Sequence, residues 1–289
     1  MYTVKVSLTR RSVFYLPVLL CHYGEHARER GIATTLRFLS PAESSRGLLN
    51  DLVDVAQSSV SASWVGLERG EDDGTRHFAQ INSRDGFFLV GRANDSNFKW
   101  SDLSGSHVLA DQDRQPITTL RYAMSILGID AESVRFGDAK DPESIVRKFQ
   151  SGEGDFAHLQ GPAAQVLEET GIGKVVGSLG AVIGPIAFSS LRARVGWLGT
   201  PQALRFREAY AEARERAAKE SAASLAGSVD AAFPGVSKSA LESAVTAYQQ
   251  LGCWKGAHDV ETEGYATATR VFYEAGAISR DHPYEKVVS

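Results

Sequence analysis

Four short polar stretches carry the residue types best suited to holding a small molecule. Gln57-Ser-Ser-Val-Ser61 sets hydroxyls at Ser58, Ser59 and Ser61, with the aromatic Trp64 close behind. Asp111-Gln-Asp-Arg-Gln-Pro116 sets Arg114 and Gln115 beside a proline that suits the first turn of a helix. Gln160-Gly161-Pro162 adds an amide and bare backbone, and Thr9 to Tyr15 adds Ser12, Phe14 and Tyr15 with Arg10 and Arg11 nearby. Hydroxyls and amides both donate and accept hydrogen bonds, an arginine forks onto a carboxylate or sulfonate, and a helix start offers unpaired N–H groups to an anion. This is the chemistry of capture. No nucleophile stands at a readable spacing from a base, so we assign no catalytic residue. Neither a HExxH nor a GxxxxGK motif is present.

Other reactive types read as structural. His22 and His26 are four apart and could share a helix face, but a metal site needs more ligands than two. His158 sits in a strand-like run and reads as a core histidine. Cys21 lies in an apolar helical run, where a thiol is inert packing, and we expect no catalytic role for it. Cys253 is its only fellow, and whether the two pair stays open. We expect neither metal nor cofactor.

The elements that must position these residues follow from a repeat. Gly128 to Pro162 reads as strand, helix and strand. Asp141 caps the helix, Pro142 starts it, and Gln150-Ser-Gly152 ends it. Gly31 to Ser59 carries the same order: Gly31-Ile32 answers Gly128-Ile129, Arg37-Phe38 answers Arg135-Phe136, and Asp54-Val55-Ala56 answers Asp155-Phe156-Ala157. Two α/β lobes with one shared unit are the simplest reading; a single larger sheet with recurring local signals is the alternative. In parallel sheets, ligands sit beyond the carboxyl ends of the strands. The polar stretches fall there, so two lobes facing each other would make them the walls of one cleft.

In chain order we expect a strand at Tyr2–Leu8, a helix over Tyr15–Arg30, and strands at Thr75–Asn82 and Phe87–Gly91. A loop follows over Asn94–Trp100, then a strand at Ser133–Phe136. A helix over Ile117–Leu127 should have Pro116 at its first position. A long helix should run from Gln202 to Ala223, with more helices over Val236–Leu251 and Thr262–Ala275. The partition is 1–88 for the first part of lobe one, 89–187 for lobe two, and 188–289 for the return to lobe one and the C-terminal helices.

Composition narrows the function classes. Of 289 residues, 43% are hydrophobic and 23% charged, and the net charge is −4, which argues against a nucleic-acid partner. No apolar run is long enough to insert in a membrane. Thr9-Arg-Arg-Ser-Val-Phe14 approximates a twin-arginine signal, but the apolar run behind it is short, contains Pro17 and lacks a small-residue cleavage site. No signal peptide is visible. The expectation is a cytoplasmic protein as written, or a periplasmic one if a leader is missing from this chain.

Trp100-Ser-Asp-Leu-Ser-Gly105 resembles the helix start that opens the second lobe of periplasmic binding proteins. Phe149-Gln-Ser-Gly-Glu-Gly-Asp-Phe-Ala157 and Asn50-Asp-Leu-Val-Asp-Val-Ala56 resemble one recurring element of that fold, once in each lobe. Together, over Val4 to about Ala275, the chain resembles ABC-transporter substrate-binding proteins of the nitrate, sulfonate and taurine type, the SsuA/THI5-like or NMT1 group. The resemblance implies an α/β, two-lobe, type II periplasmic-binding-protein fold with a helical C-terminal segment. It also implies a small anionic or heterocyclic ligand in the cleft and an ABC permease as partner. The rival reading is a cytoplasmic enzyme on the same fold, of thiamine-precursor, desulfinase or menaquinone-pathway type. Neither Cys21 nor Cys253 fits the cysteine positions that the first two would need.

Overall fold

The computed structural model describes residues 1–93, 97–139 and 141–289. Residues 94–96, within the loop expected over Asn94–Trp100, lie outside the described residues.

The chain opens with β1 (Tyr2–Leu8), α1 (Leu16–Tyr23), α2 (His26–Glu29), β2 (Ile32–Phe38), α3 (Pro41–Leu49), β3 (Val55–Ser58), α4 (Ser61–Glu68) and β4 (Thr75–Asn82). It continues with β5 (Phe87–Arg92), β6 (His107–Asp111), α5 (Arg114–Ile126), β7 (Arg135–Ala139), α6 (Pro142–Gln150), β8 (Phe156–Gln160), α7 (Ala163–Glu169), β9 (Gly173–Ser178) and α8 (Leu179–Ile183). Then come β10 (Ser189–Arg194), α9 (Val195–Leu198), α10 (Pro201–Lys219), α11 (Ala222–Val229), α12 (Lys238–Leu251), α13 (Thr262–Glu274) and α14 (Tyr284–Val287).

The strands form two five-stranded sheets, ordered β2-β1-β3-β10-β4 and β7-β6-β8-β5-β9. In each, the second strand (β1, β6) is flanked by two parallel partners, and the fourth (β10, β5) runs antiparallel to both of its neighbours. A matching clamp holds β1 and β6. Lys5 N donates to Asp54 Oδ2 at 2.8 Å while Asp54 N donates back to Lys5 O at 2.8 Å. In the second sheet, His107 N donates to Asp155 Oδ2 at 2.7 Å and Asp155 N returns to His107 O at 2.8 Å. The repeated helices also start alike. Ser40 accepts from Glu43 N and precedes Pro41, and Asp141 accepts from Ser144 N and precedes Pro142. Each cap satisfies an amide that the helix leaves free.

The chain passes between sheets at 83–86 and again at 184–188, and these segments run side by side, joined by Ile186 N to Ser83 O at 3.1 Å. Gly86 is required here, because a Cβ would lie 2.3 Å from the Phe14 ring. No helix among the described residues is long and apolar enough to cross a membrane.

Several boundaries differ from expectation. The helix expected over Tyr15–Arg30 breaks at Gly24, whose backbone is extended; a Cβ there would meet Leu20 O at 2.5 Å. The helix expected to reach Ala223 stops at Lys219. Glu220 is extended, its carboxylate is held by Arg216, and Ser221 caps a new helix through Ser224 N. α5 starts at Arg114, so Pro116 is its third residue; the first-turn amides need no partner, so a proline fits any of these positions. The strand expected from Ser133 begins at Arg135, because Asp130 caps a 3-10 turn over Ala131–Ser133.

Candidate functional site

The carboxyl ends of β1 and β3 and the starts of α3 and α4 face the ends of β6 and β8 and the start of α5. Between them lies a cavity of about 490 Å³, within the usual range for small-molecule sites. The first-sheet wall is rich in hydroxyls, Ser44, Ser45, Ser58, Ser59 and Ser61, and its two arginines, Arg10 and Arg192, are each paired with an aspartate. Tyr15 and Phe188 also border the cavity, and the second-sheet wall presents Phe87, Asp113, Arg114, Gln115 and Gln160.

Of the residues the sequence singles out, Tyr15, Ser58, Ser59, Ser61, Arg114, Gln115 and Gln160 border this cavity. The other four sit elsewhere. Ser12 is 1% exposed, and its hydroxyl donates to Gly161 O at 2.8 Å and accepts from Phe14 N at 3.2 Å. Gly161 is held from behind, its N–H donating to Tyr248 Oη at 2.7 Å. Phe14 is fully buried, packed on Gly86 and within 5.5 Å of the Tyr248 and Phe188 rings. Trp64 is also in the core, where Nε1 donates to Tyr265 Oη at 3.0 Å and the ring meets Phe272 edge-on. Large aromatics placed at an inward helix position bury their area against the nearest element, here the C-terminal helices, before they can line an opening.

Arg114 borders the cavity, but its side chain is exposed. Nη2 donates to Ala277 O at 2.8 Å and the guanidinium lies over Phe272. Gln115 reaches across instead, donating to Phe188 O at 2.9 Å. The Arg114 and Gln115 amides have no acceptor among the described residues. Ser59 and Ser61 share a hydrogen bond of 2.6 Å between their hydroxyls.

Three further charged side chains border the cavity: Arg10, which the sequence placed only near a cleft loop, and Asp113 and Arg192, which it did not single out. Arg10 leaves the β1 exit loop and crosses to the other lobe. Nη1 donates to the Asp111 carboxylate and Nη2 donates to Asp113 Oδ2 at 3.2 Å. Asp111 is buried and Arg10 nearly so, which keeps this pair from being screened. Burial and the Asp111 charge push the Asp113 carboxyl above its ordinary range, and Arg10 pulls it back. Arg192 is buried and paired with Asp73. The signal for Arg10 was its adjacency to a strand end; nothing in the sequence named its partners.

Under the cavity, Gln57 accepts from Thr9 N and Thr9 Oγ1 and donates to Ser189 Oγ, using its whole amide within the first lobe and its return strand. His158 stacks on Phe87 with ring centroids 4.2 Å apart and is fully buried, with neither ring nitrogen partnered among the described residues. Burial pushes its pKa down to about 3, so the ring is neutral.

The remaining candidates lie apart from the cleft. His22 Nδ1 meets Thr34 Oγ1 at 2.8 Å, while His26 Nδ1 accepts from Arg216 Nη1 at 2.9 Å, so the two rings serve different partners. Cys21 and Cys253 are both buried and free, and burial raises both thiols, which holds them protonated.

No family model matches the chain. It is 23% identical, over 99% of its length and 87% of the relative's, to YtlA of Bacillus subtilis, a protein named a binding protein only provisionally. Among solved structures it superposes on the ligand-binding component of an ABC-type import system from Staphylococcus aureus, with a TM-score of 0.79 and 12% identity over 100% of this chain and 97% of that one. It also superposes on the periplasmic aliphatic sulphonate-binding protein SsuA of Escherichia coli, with a TM-score of 0.78 and 13% identity over 99% and 92% of the two chains. The fold is therefore the two-lobe, type II periplasmic-binding-protein fold.

Proposed function

We propose that this chain is a solute-binding protein that closes two lobes on one small ligand, anionic or heterocyclic, and presents it to an ABC-type import permease. The observation that carries the reading is the cavity itself: strand ends and helix starts of both sheets wall it, and Arg10 bridges them. We take residues 1–86 and 188–289 as one lobe and 87–187 as the other, two residues earlier than the expected boundary because β5 opens the second sheet at Phe87, with the paired crossings as the hinge. A ligand touching both walls favours the closed form through its differential affinity for that form. Val13 N to Gly161 O at 3.1 Å and Gln115 to Phe188 O are further contacts that closure makes. Import would require the working protein on the outer side of the cytoplasmic membrane.

Small-angle scattering tests the reading. The chain is unfolded, dialysed free of small molecules and refolded, and the dialysed fraction is then returned. We expect a larger radius of gyration when stripped and a smaller one after addition. An unchanged radius would count against closure on a ligand, and conversion of the returned molecule would favour the enzyme reading.

A further inference from the structure

The charges around the cleft do not cancel evenly. Arg10 is matched by Asp111, whose carboxylate is 2% exposed, and Arg192 by Asp73. Arg114 turns its guanidinium to Ala277 and Phe272 at the rim. Asp113 is then the acid left over. Its carboxylate keeps one bond of 3.2 Å to Arg10, does not cap α5, and is 57% exposed where it borders the cavity. A half-exposed carboxylate beside the free amides of α5, held by a single bond to Arg10, disfavours an anion at that wall, since like charges within a few ångströms repel.

Two more features ask for the same kind of ligand. Gln160 borders the cavity at 6% exposure, and its Oε1 has no partner among the described residues. A buried amide oxygen without a donor costs free energy until one arrives. The rings of Tyr15 and Phe188 border the same space and offer a cation electron-rich surroundings, while Phe87 is already taken up by His158 and Arg10.

We propose that the cleft takes a ring compound carrying a protonated or N–H-rich nitrogen, and that Asp113 is the carboxylate that reads it. This rests on the cleft being the ligand site. The ring packs against Tyr15 and Phe188, the nitrogen donates to Asp113 and to Gln160 Oε1, and the far end of the ligand meets the serine wall.

Titration calorimetry with three matched probes tests it: benzamidine (cationic), benzamide (neutral) and benzenesulfonate (anionic). Wild type should prefer benzamidine to benzenesulfonate by at least roughly tenfold, the effect of one charge-assisted hydrogen bond. Asp113→Asn should weaken benzamidine by roughly tenfold and leave benzamide within about twofold. Asp113→Glu, which restores the charge, should keep the preference. Tighter binding of benzenesulfonate would overturn the proposal while leaving the cleft as a ligand site, as would an equal loss of all three probes in Asp113→Asn. Binding of none of the three would count against the cleft itself.

Discussion

Set side by side, the two sheets share a frame and differ in chemistry. Four residues after the clamped amide the first sheet has Thr9 and the second Asp111; three residues after the clamping aspartate the first has Gln57 and the second His158. Thr9 and Gln57 bond to each other. Asp111 and His158 are not bonded, and Asp111 turns to Arg10 of the opposite lobe. One copy satisfies its polar groups locally, and the other holds a charge whose partner comes from the opposite lobe. Repetition of a frame therefore does not repeat a site: the clamp fixes the backbone, and strand-end side chains are free to differ.

The strongest way to break this contrast is Asp111→Asn. It leaves Arg10 mostly buried with only the 3.2 Å contact to Asp113, and should cost the closed form about 2–4 kcal/mol. Scattering should then show a more open molecule, and Thr9→Ala in the matching position should not. Equal radii for the two variants would remove Arg10–Asp111 as the lobe-to-lobe contact.

Next comes pH. His158 has a folded pKa of about 3, below the unfolded value near 6.5, so its contribution to stability is full above pH 6.5 and is lost as pH falls toward 3. Between pH 7.5 and pH 5 this loss amounts to about 2 kcal/mol. His158→Gln, which installs the first sheet's residue, should flatten that part of the denaturant-melt profile. A wild-type slope that survives the substitution would place it elsewhere, with His77 the first candidate, since burial lowers it too.

The clamps sharpen the likeness. Asp54→Asn and Asp155→Asn each weaken a bond from a charged acceptor to a backbone amide, and each should lose about 1–2 kcal/mol in urea melts. Markedly unequal losses would mean that the repeated frame is not energetically equivalent. The smallest effect is expected of Arg114→Ala. The side chain is exposed and held by one carbonyl, so ligand affinity measured by calorimetry should move by under about 0.5 kcal/mol. A loss tenfold greater in binding constant would bring Arg114 back as an anion clamp.

These contrasts mark how far the sequence could be read. The repeated unit was legible because Asp54 and Asp155 recur with a strand after each, and strand-end loops fall in the cleft wherever the sheet is parallel. Ser58, Ser59, Ser61 and Gln160 followed from that. Phe14 and Trp64 did not, because residue type alone does not say which face of a helix turns to the core. Arg10–Asp111 and Gln115–Phe188 were out of reach for another reason: each joins residues far apart in the chain through the meeting of two lobes, and no local pattern encodes that. The breaks at Gly24 and Glu220 were written in the sequence as a glycine and as a serine cap, but uninterrupted apolar spacing on both sides outweighed them.

Native mass spectrometry of the protein taken directly from the cells that produce it addresses the central claim most closely. The account predicts one non-covalent small molecule per chain, retained under gentle conditions and released on unfolding, with its occupancy reduced in Asp111→Asn. A bare chain mass from wild type under conditions that keep it folded, or equal occupancy in the variant, would contradict the capture of a ligand between the two lobes.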